Sequence, residues 1–128
     1  MTQSDKDLLL KDLCSRLPYG VKGEKYTIRM DGEFVPLIDV EIITAEDIIT
    51  LNGCPGYMIK PYLFPLSSMT VEQKREFDIS MDMGYAAAYN AEINCVNRMI
   101  DFFHKHHIDY RGLIPMGLAI DATNKDIY

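Results

Sequence analysis

The densest group of reactive side chains in the sequence is Asp109, Tyr110, Arg111 and Gly112, which follow one another directly. They bring a carboxylate, a phenol, a guanidinium and a conformationally free residue to one point of the chain. As a helix stop, Arg111 would pair with Asp109 or another acid, Tyr110 would pack, and Gly112 would take a left-handed φ. As a recognition patch, Arg111 and a neighbouring histidine would grip an anion, because the planar guanidinium matches carboxylate and phosphate oxygens. Just upstream stand His104, His106 and His107. On a helix His104 and His107 share a face with Asp101 one turn earlier, which offers a metal three ligands. The sequence supplies neither a further ligand nor an orienting second shell. The histidines are therefore read as a helix C-terminus favoured by the dipole, and no metal is assigned.

Catalysis finds little else to use. Cys95 lies inside an expected helix, with no helix N-terminus or cation beside it to favour a thiolate. Ser67 and Ser68 lack the GxSxG elbow and instead begin the helix that follows Pro65. No glycine-rich phosphate loop occurs, and Glu46-Asp47 has no neighbours that would push two carboxyl pKa values apart. Methionines such as Met81, Met83 and Met99 read as fillers of a core. Tyr19, Tyr26, Phe34, Tyr57, Tyr62 and Phe64 read as sheet core more readily than as the lining of a pocket for a planar ligand. No catalytic residue and no cofactor follow from the sequence.

These groups must be held by a single domain. The chain has 128 residues, 48% of them hydrophobic, enough for one real core. No apolar run approaches the roughly 20 residues of a membrane span, and the first residues lack a basic region followed by an apolar one. Three cysteines with no CxxC pair suit reduced thiols and a cytoplasmic setting. A net charge of -6 without a basic cluster disfavours nucleic acid as a partner.

The expected fold is α+β: a small antiparallel sheet or SH3-like barrel of three to five strands between an N-terminal helix and a C-terminal helical segment. Leu9, Leu13 and Leu17, with Leu10 and Cys14 beside them, mark the buried stripe of a helix over 1–17 that Pro18 stops. Residues 19–60 read as an antiparallel meander, with strands near 20–30, 33–43, 48–51 and 57–60 and turns at Asp31-Gly32, Asn52-Gly53 and Pro55-Gly56. Pro36 requires an edge or a bulge. Residues 61–69 form an extended connector, kept from helix by Pro61 and Pro65. The helical part, 70–120, opens with a Thr70-to-Gln73 capping box and breaks at Met81-Asp82-Met83-Gly84. A longer helix then runs from Tyr85 to about His106, its stripe traced by Tyr89, Ile93, Val96, Ile100, Phe103 and His107. Pro115 suits the start of a last short turn, and 121–128 is a polar tail expected to fray.

Three segments of this chain resemble a family of small proteins of unknown activity found in gut bacteria of the Bacteroides group and in their phages and prophages. They are Pro18-Tyr19-Gly20-Val21-Lys22; Lys60-Pro61-Tyr62-Leu63-Phe64-Pro65-Leu66-Ser67-Ser68-Met69-Thr70; and His107-Ile108-Asp109-Tyr110-Arg111-Gly112-Leu113-Ile114 with Gly117-Leu118-Ala119. Together they frame nearly the whole chain. Phe64 stands where that family usually has Arg, and Pro115-Met116 where it usually has Glu-Lys. The resemblance implies a bacterial cytoplasmic or phage setting and a plan of helix, sheet and helical end, and it carries no catalytic residues.

The function expected on these grounds is a non-catalytic binding or regulatory protein of a phage or mobile element that self-associates and recognises a protein or a small anionic ligand. The surface expected to do so joins the connector to the 109–112 turn. There Arg111 meets an anion, Tyr62 and Tyr110 supply stacking area, His107 adds a switchable donor, and Lys60 and Asp109 complete the patch. A second possibility is a protein that sequesters a small nucleotide signal, which requires an enclosed pocket lined by aromatics with Arg111 or Lys60 turned inward. A small hydrolase comes third.

Overall fold

A computed structural model describes residues 2–28, 32–54, 56–78 and 91–128. The first helix, α1 (Gln3–Arg16), begins at a capping box in which the Thr2 hydroxyl accepts from the Asp5 amide and the Asp5 carboxylate accepts from Thr2 N–H. Leu9 and Leu13 are fully buried on its inner face as expected, but Cys14 is exposed. The other buried places on α1 belong to a charged pair, Asp12 and Arg16. The helix tightens into a 3-10 turn, Leu17–Tyr19, and Gly20 at φ 68 redirects the chain.

Strands β1 (Lys22–Ile28) and β2 (Phe34–Ile42) pair antiparallel, and β2 ends the sheet. Pro36 lies on this edge strand, beside a shift of register between Lys25 and Tyr26, as its missing N–H demands. The Asp31-Gly32 turn falls partly outside the described residues, as does Pro55-Gly56. The strand expected at 48–51 is instead part of a helix, α2 (Ala45–Gly53). Thr44 caps it, Asp47 completes the box, and Glu46 and Asp47 place acids in its first turn. These local signals outweigh the strand preference of Ile48 and Ile49, and Leu51 is left to anchor the helix in the core.

Strand β3 (Tyr57–Pro65) is the axis of the fold. Its first half pairs antiparallel with β1, from Thr27 opposite Tyr57 to Gly23 opposite Pro61. The segment expected as a loose connector is the second half of this strand. It continues beyond β1 and takes two short parallel partners, β4 (Ile108–Asp109) and β5 (Ile120–Asp121). Both prolines are tolerated because Pro61 sits where β3 parts from β1 and Pro65 is its last residue. The sheet is thus mixed, with five strands among the described residues in the order β2-β1-β3-β4 and β5 also on β3, and it stays open. The antiparallel barrel does not form, because the residues that would have supplied another strand make α2 and the last strands join in parallel. Gly23 permits the closest approach of β1 to β3: a Cβ there would lie 2.8 Å from the Lys60 carbonyl oxygen.

A 3-10 turn, Leu66–Ser68, leads to helix α3 (71–78), which starts at the expected box: Gln73 N–H donates to the Thr70 hydroxyl and Thr70 N–H to the Gln73 side chain. The expected break at 81–84, the start of the next helix at Tyr85 and the side chains of Tyr89, Ile93, Cys95 and Val96 lie outside the described residues. Helix α4 (Ala91–Lys105) ends before His107, whose φ of 57 turns the chain into β4. The main core joins Leu9 and Leu13 of α1 to Val21, Ile43, Leu51, Ile59, Leu63, Leu113 and Leu118, and Phe102, Phe103 and Ile108 form a second cluster over α3 and α4. The C-terminal tail is docked, not frayed. Ala122 is buried and donates its N–H to Leu63 O at 2.8 Å, and the Tyr128 hydroxyl donates to Tyr62 O at 2.8 Å. No helix among the described residues is long and apolar enough to cross a membrane.

Candidate functional site

The Asp109-to-Gly112 turn closes over the last turn of α1. Asp109 is buried, and its two carboxylate oxygens accept the amides of Leu113 and Ile114, both at 2.9 Å, so it shapes the following turn. Asp12 stands between two guanidinium groups. Arg16 Nε donates to Asp12 Oδ2 at 2.8 Å, and Arg111 Nε donates to Asp12 Oδ1 at 3.1 Å. Arg16 is fully buried, also donates from Nη2 to Ile108 O at 2.7 Å, and has an Nη1 with no partner among the described residues. Arg111 Nη2 donates to the Tyr110 hydroxyl at 2.8 Å, and that hydroxyl lies 2.8 Å from His104 Nε2. Burial, helped by the charge of Arg16, lowers the His104 pKa and keeps the ring neutral. With its proton on Nδ1, the ring accepts from the phenol. The Tyr110 ring stacks on Phe103, and both guanidinium groups lie over it within 5.4 Å.

Where the end of β3 meets this turn, a cleft of about 480 Å³ opens to solvent. Pro65, Leu66, Ile114 and Pro115 make its apolar walls, and Asp109, Tyr110, Arg111 and Gly112 complete it. Leu66 and Met116, next to Pro115, are 48% and 47% exposed, so apolar surface continues past the rim. Arg111 engages two of the five N–H groups of a guanidinium inside the protein, and its Nη1 end has no partner among the described residues.

Of the six residues expected in a binding patch, the cleft brings together Asp109, Tyr110 and Arg111. The other three lie elsewhere, Lys60 and Tyr62 on β3 and His107 at the turn before β4. Lys60 pairs across the ladder with Glu24 and sits 6.0 Å over the Tyr26 ring. Tyr62 is buried and donates its hydroxyl to Glu24. His107 lies flat under Tyr128, with ring centroids 3.7 Å apart, and burial together with the charges of Arg16, His106 and Lys22 lowers its pKa to about 4. His104 and His107 therefore do not share a helical face. No group of three metal-ligating side chains exists among the described residues.

No family model, curated protein or solved structure matches the chain. The binding reading is therefore carried by the geometry of the cleft. Two features of that geometry escaped the sequence-based expectation, Asp12 and Arg16. Their signal was present: each follows a buried leucine, Leu9 or Leu13, by three residues, which puts an ion pair on the apolar face of α1.

A second ionic cluster braces the other end of the sheet. Lys25 donates to Asp47 at 2.9 Å and to Glu41 at 3.0 Å, which ties α2 to β1 and β2. Burial by itself would lower the Lys25 pKa, but the hydrogen bonds to Asp47 and Glu41 outweigh it and raise the value above that of a free lysine. The ammonium is held charged, unlike the depressed lysine a nucleophile or base requires.

Proposed function

We propose that this chain is a non-catalytic binding or regulatory protein of a bacterial mobile element or phage, acting in the bacterial cytoplasm. In this reading the cleft between Pro65-Leu66 and the 109–115 turn takes a segment of a protein partner. The observation that carries it is the make-up of the cleft: apolar walls, an apolar rim and one guanidinium edge without a partner among the described residues. The polar groups beside it favour recognition over turnover. Asp109 holds the backbone amides of Leu113 and Ile114, and the Tyr110 phenol is tied to Arg111 and His104, so both are engaged in shaping the turn. The setting rests on the resemblance of the three segments, two of which meet at this cleft.

Site-specific photocrosslinking tests the proposal. A photoreactive residue at Leu66, in the full chain expressed in a Bacteroides-group host, should join the protein to one discrete partner. The same group at Ile49, 71% exposed on α2, should not. Equal labelling from both positions, or none from Leu66, defeats the reading. A parallel thermal-shift screen against cyclic nucleotides and ADP-ribose derivatives addresses sequestration of a nucleotide, and strong stabilisation there would favour that role instead.

A further inference from the structure

We infer that the partner segment is a peptide C-terminus, and that Arg111 holds its terminal carboxylate while the last side chain lies against Pro65, Ile114 and Pro115. The inference rests on the proposed binding role of the cleft and specifies its ligand.

Arg111 directs Nε to Asp12 and Nη2 to Tyr110, both on one edge of the guanidinium. The Nη1 end and the second Nη2 hydrogen form the neighbouring edge, a planar pair of donors that has no partner among the described residues and fits two carboxylate oxygens. Asp12 is fully buried and meets Arg111 through Nε, on the other side of the guanidinium from that edge. Asp109, the acid that lines the cleft, directs its two oxygens to the amides of Leu113 and Ile114. A purely apolar occupant would strip water from these N–H groups and give nothing back, which disfavours it. The occupant must bring an acceptor and apolar bulk to the same cleft, because Arg111 and the apolar wall line it together. A terminal residue does so from a single Cα, with its carboxylate and its side chain both attached there. An internal Asp or Glu places its carboxylate where its own apolar side chain would have been. Capture of a chain terminus by pre-arranged donors is a recurring mode of peptide recognition.

The test titrates the isotopically labelled full chain with three pools of short random peptides: apolar-ended with a free carboxylate, the same pool amidated, and amidated peptides with one internal glutamate. Amide shifts at Leu66, Arg111 and Ile114 report the cleft. The free-acid pool should bind about tenfold more tightly than its amide, the value of a charge-assisted hydrogen-bond pair. Arg111→Lys, which keeps the charge and loses the planar fork, should bring the free acid close to the amide, while Leu66→Glu should weaken both. Equal binding of acid and amide overturns the carboxylate assignment and leaves the cleft as a binding site. Tighter binding of the internal-glutamate pool overturns the terminus. If no pool binds, the inference falls; if Leu66 also fails to crosslink a partner, the proposed function falls with it.

Discussion

Arg111 reaches back across the fold to Asp12, and this 3.1 Å contact joins the last turn of α1 to a turn 99 residues later in the chain. Asp12 is fully buried between this group and Arg16. Two cations that share one carboxylate in a dry site stand or fall together. Asp12→Ala should therefore cost roughly 3–5 kcal/mol in urea unfolding, the usual result of leaving a buried charge without its partner. Arg111→Ala, at a residue partly in solvent, should cost less. The double variant should cost less than the sum of the two singles, and full additivity would show that the pair does not interact.

The stack of Tyr128 on His107 makes stability depend on pH. His107 titrates at about 4 in the folded chain against an ordinary value of 6.5, because of burial first and then the charges of Arg16, His106 and Lys22. The unfolded chain thus takes up a proton at a pH where the folded chain does not. Stability is complete above about pH 6.5 and declines as the pH falls through that value towards 4. His104, lowered in the same sense, adds to the effect. Between pH 7 and 5 the loss should be about 1–2 kcal/mol after allowance for partial exposure. His107→Asn, which tolerates the left-handed backbone and carries no charge, should flatten the pH profile of the melting temperature.

The Tyr128 hydroxyl closes the ladder where β1 begins beside β3: it accepts from Lys22 N–H at 2.9 Å and donates to Tyr62 O at 2.8 Å. Burial pushes its pKa up to about 12. Tyr128→Phe should keep the ring on His107 and lose about 1–2 kcal/mol through the two hydrogen bonds removed. Hydrogen exchange should speed up at the Lys22 amide first, and unchanged protection there would show that the tail does not close the ladder.

Gly23 is required by space. A methyl group there would meet the Lys60 carbonyl oxygen and the Ile43 side chain at 2.8 Å, and the backbone atom cannot rotate away. Gly23→Ala should destabilise by about 1–3 kcal/mol, the usual cost of overpacking, whereas Gly53→Ala, with nothing within 4 Å, should be close to neutral. Equal effects of the two would mean that β1 and β3 do not approach so closely.

Residues 45–53 test a competition between local signals. Thr44→Ala should remove the cap of α2 and cost about 1 kcal/mol with some loss of helical circular dichroism. Ile49→Lys should do little, because that side chain is 71% exposed. A large loss on Ile49→Lys would restore the strand that its β-branched neighbours suggest.

What the sequence determined by itself was local. The leucine stripe of α1, the stop at Pro18, the edge position of Pro36 and the Thr70 box were legible because their causes lie within a few residues of one another. Three of the six expected site residues, Asp109, Tyr110 and Arg111, are contiguous, and their meeting in one cleft follows from that adjacency. Tertiary structure decided the rest. Pro61 and Pro65 look like the marks of a loose connector, yet their segment is the half of β3 that two distant strands join in parallel, and such pairings have no local signature. The polar tail docks because Ala122 and Tyr128 find backbone partners on β3. Lys60, Tyr62 and His107 were drawn elsewhere by Glu24 and Tyr128. The partner of Arg111 could not be read locally either, because an ion pair that spans most of the chain is chosen by packing, which alone decides which carboxylate is buried beside it.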